Sequence, residues 1–297
     1  MSSRNSYVLP HGMLAKHAKE MPGQVYLRQP INREYRDFTW AEVYDSARRL
    51  ASGFHKIGLS EGDKVCLLSK NVAEWFITDF AIGIAGMIAV PIYPTAGEKT
   101  ISYVLEHSEA KAIIVGKLDD TEPANVALAD RDIKTISMPY ETLRCDYQMN
   151  QLINGNSPIE TVAAPGLDDV FSITYTSGST GNPKGAVLSY RNIAYGARAS
   201  AEQTNLGKRD RLISYLPLAH VAERAIIEHA SLYSGSTVTF VESLATFADD
   251  VQKTRPTFFF SVPRLWMKFQ SGVLSKMSQN KLDTLLRIPV VSGLVKK

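Results

Sequence analysis

The chain has 297 residues, 44% of them apolar and 21% charged, the composition of a folded protein rather than a disordered tail. Its 33 Lys and Arg against 30 Asp and Glu leave a net charge of +3, too slight an excess to argue for a nucleic-acid partner. Two cysteines, Cys66 and Cys145, with no CxxC pair, exclude a disulfide framework and a cysteine-rich zinc site and point to a reducing compartment.

The opening MSSRNSYVLPHGMLAKHAKE lacks the continuous apolar run of a secretory signal, so secretion is not expected. Thr39-Trp-Ala-Glu42 has the spacing of a capping box, which predicts a helix start. The apolar positions Val43, Ala47, Leu50, Ala51, Phe54 and Ile57 then follow the helical period, and Gly58 supplies the stop. Between Trp75 and Tyr93 lies the most membrane-like stretch, but it carries Asp79, Gly83, Gly86 and Pro91. Its uninterrupted apolar part, Phe80 to Val90, falls short of the ~20 residues a bilayer needs, so a buried helix running into a buried strand is predicted.

Short apolar runs at Lys64–Leu68, Ile88–Ile92, Ala112–Val115 and Thr135–Met138 alternate with helical patterns such as Ile101–His107. Residues 157–168, with Pro158, Ala163, Ala164, Pro165 and Gly166, have the composition of a connection between a first half, 1–156, and a second, 169–297. Alternation resumes with a strand over Phe171–Thr176, a helix from about Asn192, a strand at Leu212–Leu216 and a helix near Ala222–Tyr233. Strands at Thr237–Val241 and Phe258–Val262 complete the pattern. The predicted class is α/β, with stacked, mostly parallel sheets covered by helices on both faces. The final Lys281–Lys297 is amphipathic, interrupted by Pro289, and supplies no closing strand, which predicts a truncated chain with an open sheet edge.

One segment carries a sharp chemical signal: Tyr175-Thr-Ser-Gly-Ser-Thr-Gly-Asn-Pro-Lys-Gly185, after an apolar strand and before a helical pattern. Gly178, Gly181 and Gly185 let the backbone turn and approach a ligand closely, so that successive amides can face one anion. Thr176, Ser177, Ser179 and Thr180 add hydroxyl donors, and Lys184 adds a compact positive charge. The composition is that of a phosphate cradle. A Walker loop is excluded, because Gly178 and Gly181 are separated by two residues instead of four and Gly185 follows Lys184. The nine-residue interval between His220 and His229, with no HExxH, excludes a clustered zinc site there.

This loop resembles the signature of the adenylate-forming (AMP-binding) superfamily. Ser214-Tyr-Leu-Pro-Leu-Ala-His220-Val-Ala-Glu-Arg224 and Val262-Pro-Arg-Leu-Trp266 are similar to stretches of its long-chain fatty acid–CoA ligases, and the resemblance runs from about Ala15 to Lys297. It implies a two-step reaction in which a fatty acid carboxylate attacks the α-phosphate of ATP and CoA then displaces AMP. It further implies that Thr176, Ser177, Gly178, Ser179, Thr180, Gly181 and Lys184 bind the nucleotide phosphates, with Lys184 and His220 as catalytic groups. Magnesium would be held through the hydroxyl of Thr176, directly or by way of water.

His220 follows a predicted strand, where active-site groups of α/β sheets commonly lie, and the resemblance places it against the acyl-adenylate. Glu223 and Arg224 are candidates for substrate contact or for a local ion pair. Trp266, beside Phe258, Phe259 and Phe260, is either an aromatic gate over a fatty-acid tunnel or a packed core residue. The family's ribose-binding aspartate, hinge and lysine-bearing C-terminal domain have no counterpart before Lys297. Two alternatives therefore stand beside the ligase: an enzyme that loads a carrier protein in place of CoA, and an inactive phosphate-binding module. The expected location is cytoplasmic, and an apolar substrate makes peripheral membrane contact reasonable.

Overall fold

The computed structural model describes residues 7–176, 181–276, 278, 280–281 and 283–284. They form a compact unit over Met1–Phe258 and a second over Phe259–Lys297. The first opens with helix α1 (Pro10–Glu20), the hairpin β1 (Val25–Ile31) and β2 (Glu34–Thr39), and helix α2 (Trp40–Lys56). A run of strand and helix follows: β3 (Lys64–Leu68), α3 (Ala73–Ile84), β4 (Ile88–Ile92), α4 (Glu98–His107), β5 (Ala112–Val115), α5 (Glu122–Leu128) and β6 (Lys134–Ser137). Next come β7 (Tyr147–Gln148), α6 (Met149–Asn154), β8 (Val170–Thr176), β9 (Lys184–Ser189), α7 (Tyr190–Gln203) and β10 (Arg211–Ser214). Helical chain continues through α8 (Val221–Glu223), a π-helical turn (Arg224–His229) and α9 (Ala230–Ser234), before β11 (Thr237–Phe240) and α10 (Phe247–Thr254). Helix α11 (Pro263–Lys276) belongs to the second unit.

Two sheets organise the first unit. The larger runs β7-β6-β5-β3-β4-β8-β9, parallel except for the antiparallel β8–β9 edge, and the smaller runs β10-β11-β1-β2. Strand pairing crosses the connection at 157–168, which holds neither helix nor strand: β8 pairs with β4, and β1 pairs with β11.

The capping box forms as its spacing predicts. Thr39 Oγ1 accepts from the Glu42 amide at 3.3 Å while a Glu42 carboxylate oxygen accepts from the Thr39 amide at 2.7 Å. Helix α3 is buried at every residue and packs on β4 of the larger sheet and β1 of the smaller, which is why its sequence is apolar on all sides. Aromatic rings seal the smaller sheet against it, Tyr26 lying 6.3 Å from Phe76 and Phe76 meeting Phe240 edge-on at 5.1 Å, while Tyr26 also stacks on Trp40 of α2 at 3.6 Å.

Two expectations change. The signature loop leads from β8 into strand β9, so it joins two strands of a hairpin instead of a strand and a helix. Lys184–Ser189 carries no apolar alternation because β9 is a largely exposed edge, which leaves period-based reading without a signal. Phe258–Val262 contains no strand; Phe258 ends the first unit and the segment runs directly into α11. The amphipathic stretch 281–297 lies largely outside the described residues. No helix among the described residues is long and apolar enough to cross a membrane.

Thr39→Ala should lower stability by about 1 kcal/mol, the usual cost of losing a side-chain cap. The check is denaturant unfolding, where the midpoint should fall with an unchanged slope while Thr39→Ser retains most of the wild-type value.

Candidate functional site

Strand β8 delivers Thr176 to its C-terminal end, opposite Lys184 in the antiparallel register of the hairpin. Both are exposed, and Gly181 between them has φ 111°, a conformation that favours glycine. Gly185 pairs with Tyr175, and a Cβ there would lie 2.9 Å from Ile173 Cγ2 and 3.4 Å from the Tyr175 ring. Glycine at this position thus admits the Tyr175 ring, whose hydroxyl is 2.8 Å from His107 Nδ1 on α4. Burial raises the Tyr175 phenol to about 12, so it stays protonated at neutral pH. Ser177, Gly178, Ser179 and Thr180 lie outside the described residues.

A pocket of about 520 Å³ opens beside this hairpin. Thr174, Thr176 and Pro183 line one side, His220 and Val221 another, and Ile92, Ala96 and Val104 supply an apolar wall. The structure thereby brings Thr176 and His220, 44 positions apart in sequence, around one cavity at the carboxyl ends of parallel strands, where open α/β sheets bind ligands. His220 is the N-cap of α8, and its Nδ1 accepts from the Ala222 amide at 3.1 Å. In the neutral ring this assigns the proton to Nε2, leaving an N–H donor to offer.

Glu223 and Arg224 do not line this pocket; both are buried. Glu223 Oε1 accepts from Ser214 Oγ at 2.9 Å and from the Tyr215 amide at 3.0 Å. Its burial pushes the carboxyl up to about 8. Arg224 donates to both carboxylate oxygens of Asp79 at 2.6 and 2.8 Å and to Ser172 Oγ at 2.7 Å, and its guanidinium lies 5.2 Å from the Phe171 ring centre. Of the two expectations for Arg224, the geometry is that of an internal ion pair, formed with α3 instead of with its neighbour Glu223.

Glu228 and His229, also buried, complete the cluster around Asp79. Burial and the Asp79 charge raise the Glu228 carboxyl well above the ordinary range, and burial together with Arg224 lowers His229. Arg224 and Asp79 form the hydrogen-bonded ion pair of the cluster, and Glu228 and His229 pack against it. Asp79, Glu228 and His229 could geometrically gather a cation, but the Arg224 guanidinium already occupies both Asp79 oxygens. The sequence signal for this cluster was Asp79 itself, a carboxylate within an apolar helix that must find a cationic partner.

Trp266 lies in the second unit, on α11, edge-on to Phe259 at 5.5 Å and 51% exposed.

Residues 14–294 match the family described as AMP-binding enzyme. The chain belongs to this family. Among curated relatives it is 30% identical over 261 residues to the peroxisomal long chain acyl-CoA synthetase 7 of Arabidopsis thaliana, covering 83% of this chain and 37% of that protein. It is 31% identical over 266 residues to the long-chain-fatty-acid–CoA ligase FadD15 of Mycobacterium tuberculosis, covering 86% and 44%. The chain thus spans less than half the length of these relatives. The fold matches the long-chain-fatty-acid–CoA ligase FadD1 of Archaeoglobus fulgidus with a TM-score of 0.77 at 20% identity, over 89% of this chain and 53% of that one. It also matches the N-terminal domain of FACL13 from Mycobacterium tuberculosis, with a TM-score of 0.74 at 22% identity over 92% and 65%.

A folded-state carboxyl near 8 against an ordinary value of 4.5 means that the folded chain binds the Glu223 proton more tightly than the unfolded one. Glu223 then contributes a loss of stability as pH rises from about 4.5 to 8, and Glu223→Gln should flatten that part of the profile. Denaturant midpoints of the two proteins between pH 5 and 8 measure the difference; parallel profiles would show that Glu223 does not titrate this way.

Proposed function

We propose that the protein activates a long-chain fatty acid with ATP and transfers the acyl group to CoA. The observation that carries this reading is the meeting of Thr176, Pro183 and His220 around one pocket with an apolar wall, in a chain of the AMP-binding family. The names of the long-chain ligases among its relatives support the substrate class.

In the first step a carboxylate oxygen bonds to the α-phosphorus of ATP, the bond to the β-phosphate oxygen breaks, and pyrophosphate leaves with that electron pair. In the second the CoA thiol loses its proton to solvent, its sulfur bonds to the acyl carbon, the bond from that carbon to the phosphate oxygen breaks, and AMP leaves with that electron pair. Positioning and charge neutralisation supply most of the barrier reduction in such transfers. Lys184, exposed opposite Thr176, neutralises the β and γ phosphates, and the Ser- and Thr-rich sequence between them supplies further donors. The hydroxyl oxygen of Thr176 fits a hard cation, so it is the residue that would hold magnesium, which supplies further charge neutralisation when bound. His220 lines the pocket with Nδ1 engaged by the Ala222 amide, so its available ring group in the neutral form is Nε2–H, which suits donation to an oxygen of the acyl-adenylate better than proton abstraction. Trp266 remains our candidate for the gate to the acyl chain.

Palmitate-dependent exchange of pyrophosphate into ATP by the full-length protein tests the reading. Lys184→Ala should raise the KM for ATP by about 10- to 100-fold, the loss of a charged hydrogen bond, without moving the unfolding midpoint, because the side chain is exposed. Exchange that is independent of fatty acid, or ATP kinetics unchanged by the substitution, would overturn it.

A further inference from the structure

Glu223 and Arg224 are consecutive, both buried, and reach in opposite directions. Glu223 reaches the end of β10 in the smaller sheet, where Ser214 and the Tyr215 amide donate to it. Asn71, which follows β3 of the larger sheet, completes this grip: its Nδ2 donates to Ser214 Oγ at 2.8 Å and to the Leu216 carbonyl at 2.6 Å, and lies 3.4 Å from Glu223 Oε1. The turn from Tyr215 to His220 is thereby closed at its base, while His220 stands at its rim in the pocket.

Arg224 reaches the larger sheet. It donates to Ser172 Oγ of β8, and Ser172 in turn donates to the Ala89 carbonyl of β4 at 2.8 Å. Four residues further along the same strand is Thr176, on the opposite wall of the pocket. The pair therefore ties the segment that carries His220 to the strand that carries Thr176, through buried groups on both sides.

The cluster is poorly arranged for stability alone. Glu223 is a fully buried carboxyl and Arg224 a fully buried guanidinium, and burying such groups costs free energy that apolar side chains would avoid. A π-helical turn begins at Arg224, and such irregular turns recur at functional sites. We propose that Glu223 and Arg224 are positioning residues that fix His220 with respect to Thr176, and that neither contacts substrate. The effect on turnover rests on the function proposed above; the effect on His220 itself does not.

The experiment has two arms. In the first, nitrogen-detected NMR of this chain reads the His220 ring. The wild type and Glu223→Gln should both show the Nε2–H tautomer, whereas Glu223→Ala, or Arg224→Lys if the alanine variant does not fold, should show an averaged ring. A ring unchanged in every folded variant overturns the inference. In the second, pyrophosphate exchange by the full-length protein is measured in a double-mutant cycle with His220→Ala. Glu223→Ala should lower kcat by about tenfold or more when His220 is present and by less than about twofold when it is absent, with KM for fatty acid little changed. Equal losses in both backgrounds, or an effect confined to the fatty acid KM, would overturn it. Absent wild-type exchange would contradict the proposed function alone, and the NMR arm would still decide the positioning role.

Discussion

A guanidinium placed in a protein interior must be neutralised and hydrogen-bonded, or it costs several kcal/mol. Arg224 meets that requirement with Asp79 from α3 and Ser172 from β8, and much of the first unit follows from it. Helix α3 lies against both sheets, so the residue that neutralises Arg224 fixes the π-helical turn to the centre of the fold. Burial and the neighbouring Asp79 raise the Glu228 carboxyl well above its ordinary range, so it disfavours a second negative charge at this place. Burial and the Arg224 charge lower the His229 imidazole well below its ordinary value.

In the proposed function, the hairpin β8–β9 makes phosphate recognition different from that of a strand-loop-helix cradle. A helix following the loop would offer its N-terminal amides and dipole to an anion. Strand β9 offers neither, so the hydroxyls of the loop and the exposed Lys184 must carry a larger share of the charge neutralisation. Gly185 has a structural reason of its own in the room it leaves for Tyr175.

Elements whose signal is local were legible in the sequence. The Thr39–Glu42 capping box and the helix-to-strand reading of Trp75–Tyr93 depend on spacing and on runs of apolar residues, and both stand in the structure. The residue types of the loop mark it in the sequence as a candidate phosphate cradle, because they carry the chemistry directly. Strand β9 was not, because an exposed edge imposes no alternation on its side chains. Phe258–Val262 misled for the opposite reason: aromatic residues satisfy strand propensity, but no neighbouring strand pairs with them among the described residues. Pairing between Asp79 and Arg224, 145 positions apart, is a property of topology that neither segment announces by itself.

The central claim is that the Asp79–Arg224 pair holds the His220-bearing segment in the fold, and its energetic coupling is the most direct test. Denaturant unfolding of Asp79→Asn, Arg224→Met and the double variant forms the cycle. The account predicts that each single change costs about 3–5 kcal/mol, by leaving a buried partner uncompensated, and that the double variant costs much less than their sum. Single losses below about 1 kcal/mol that simply add would contradict it.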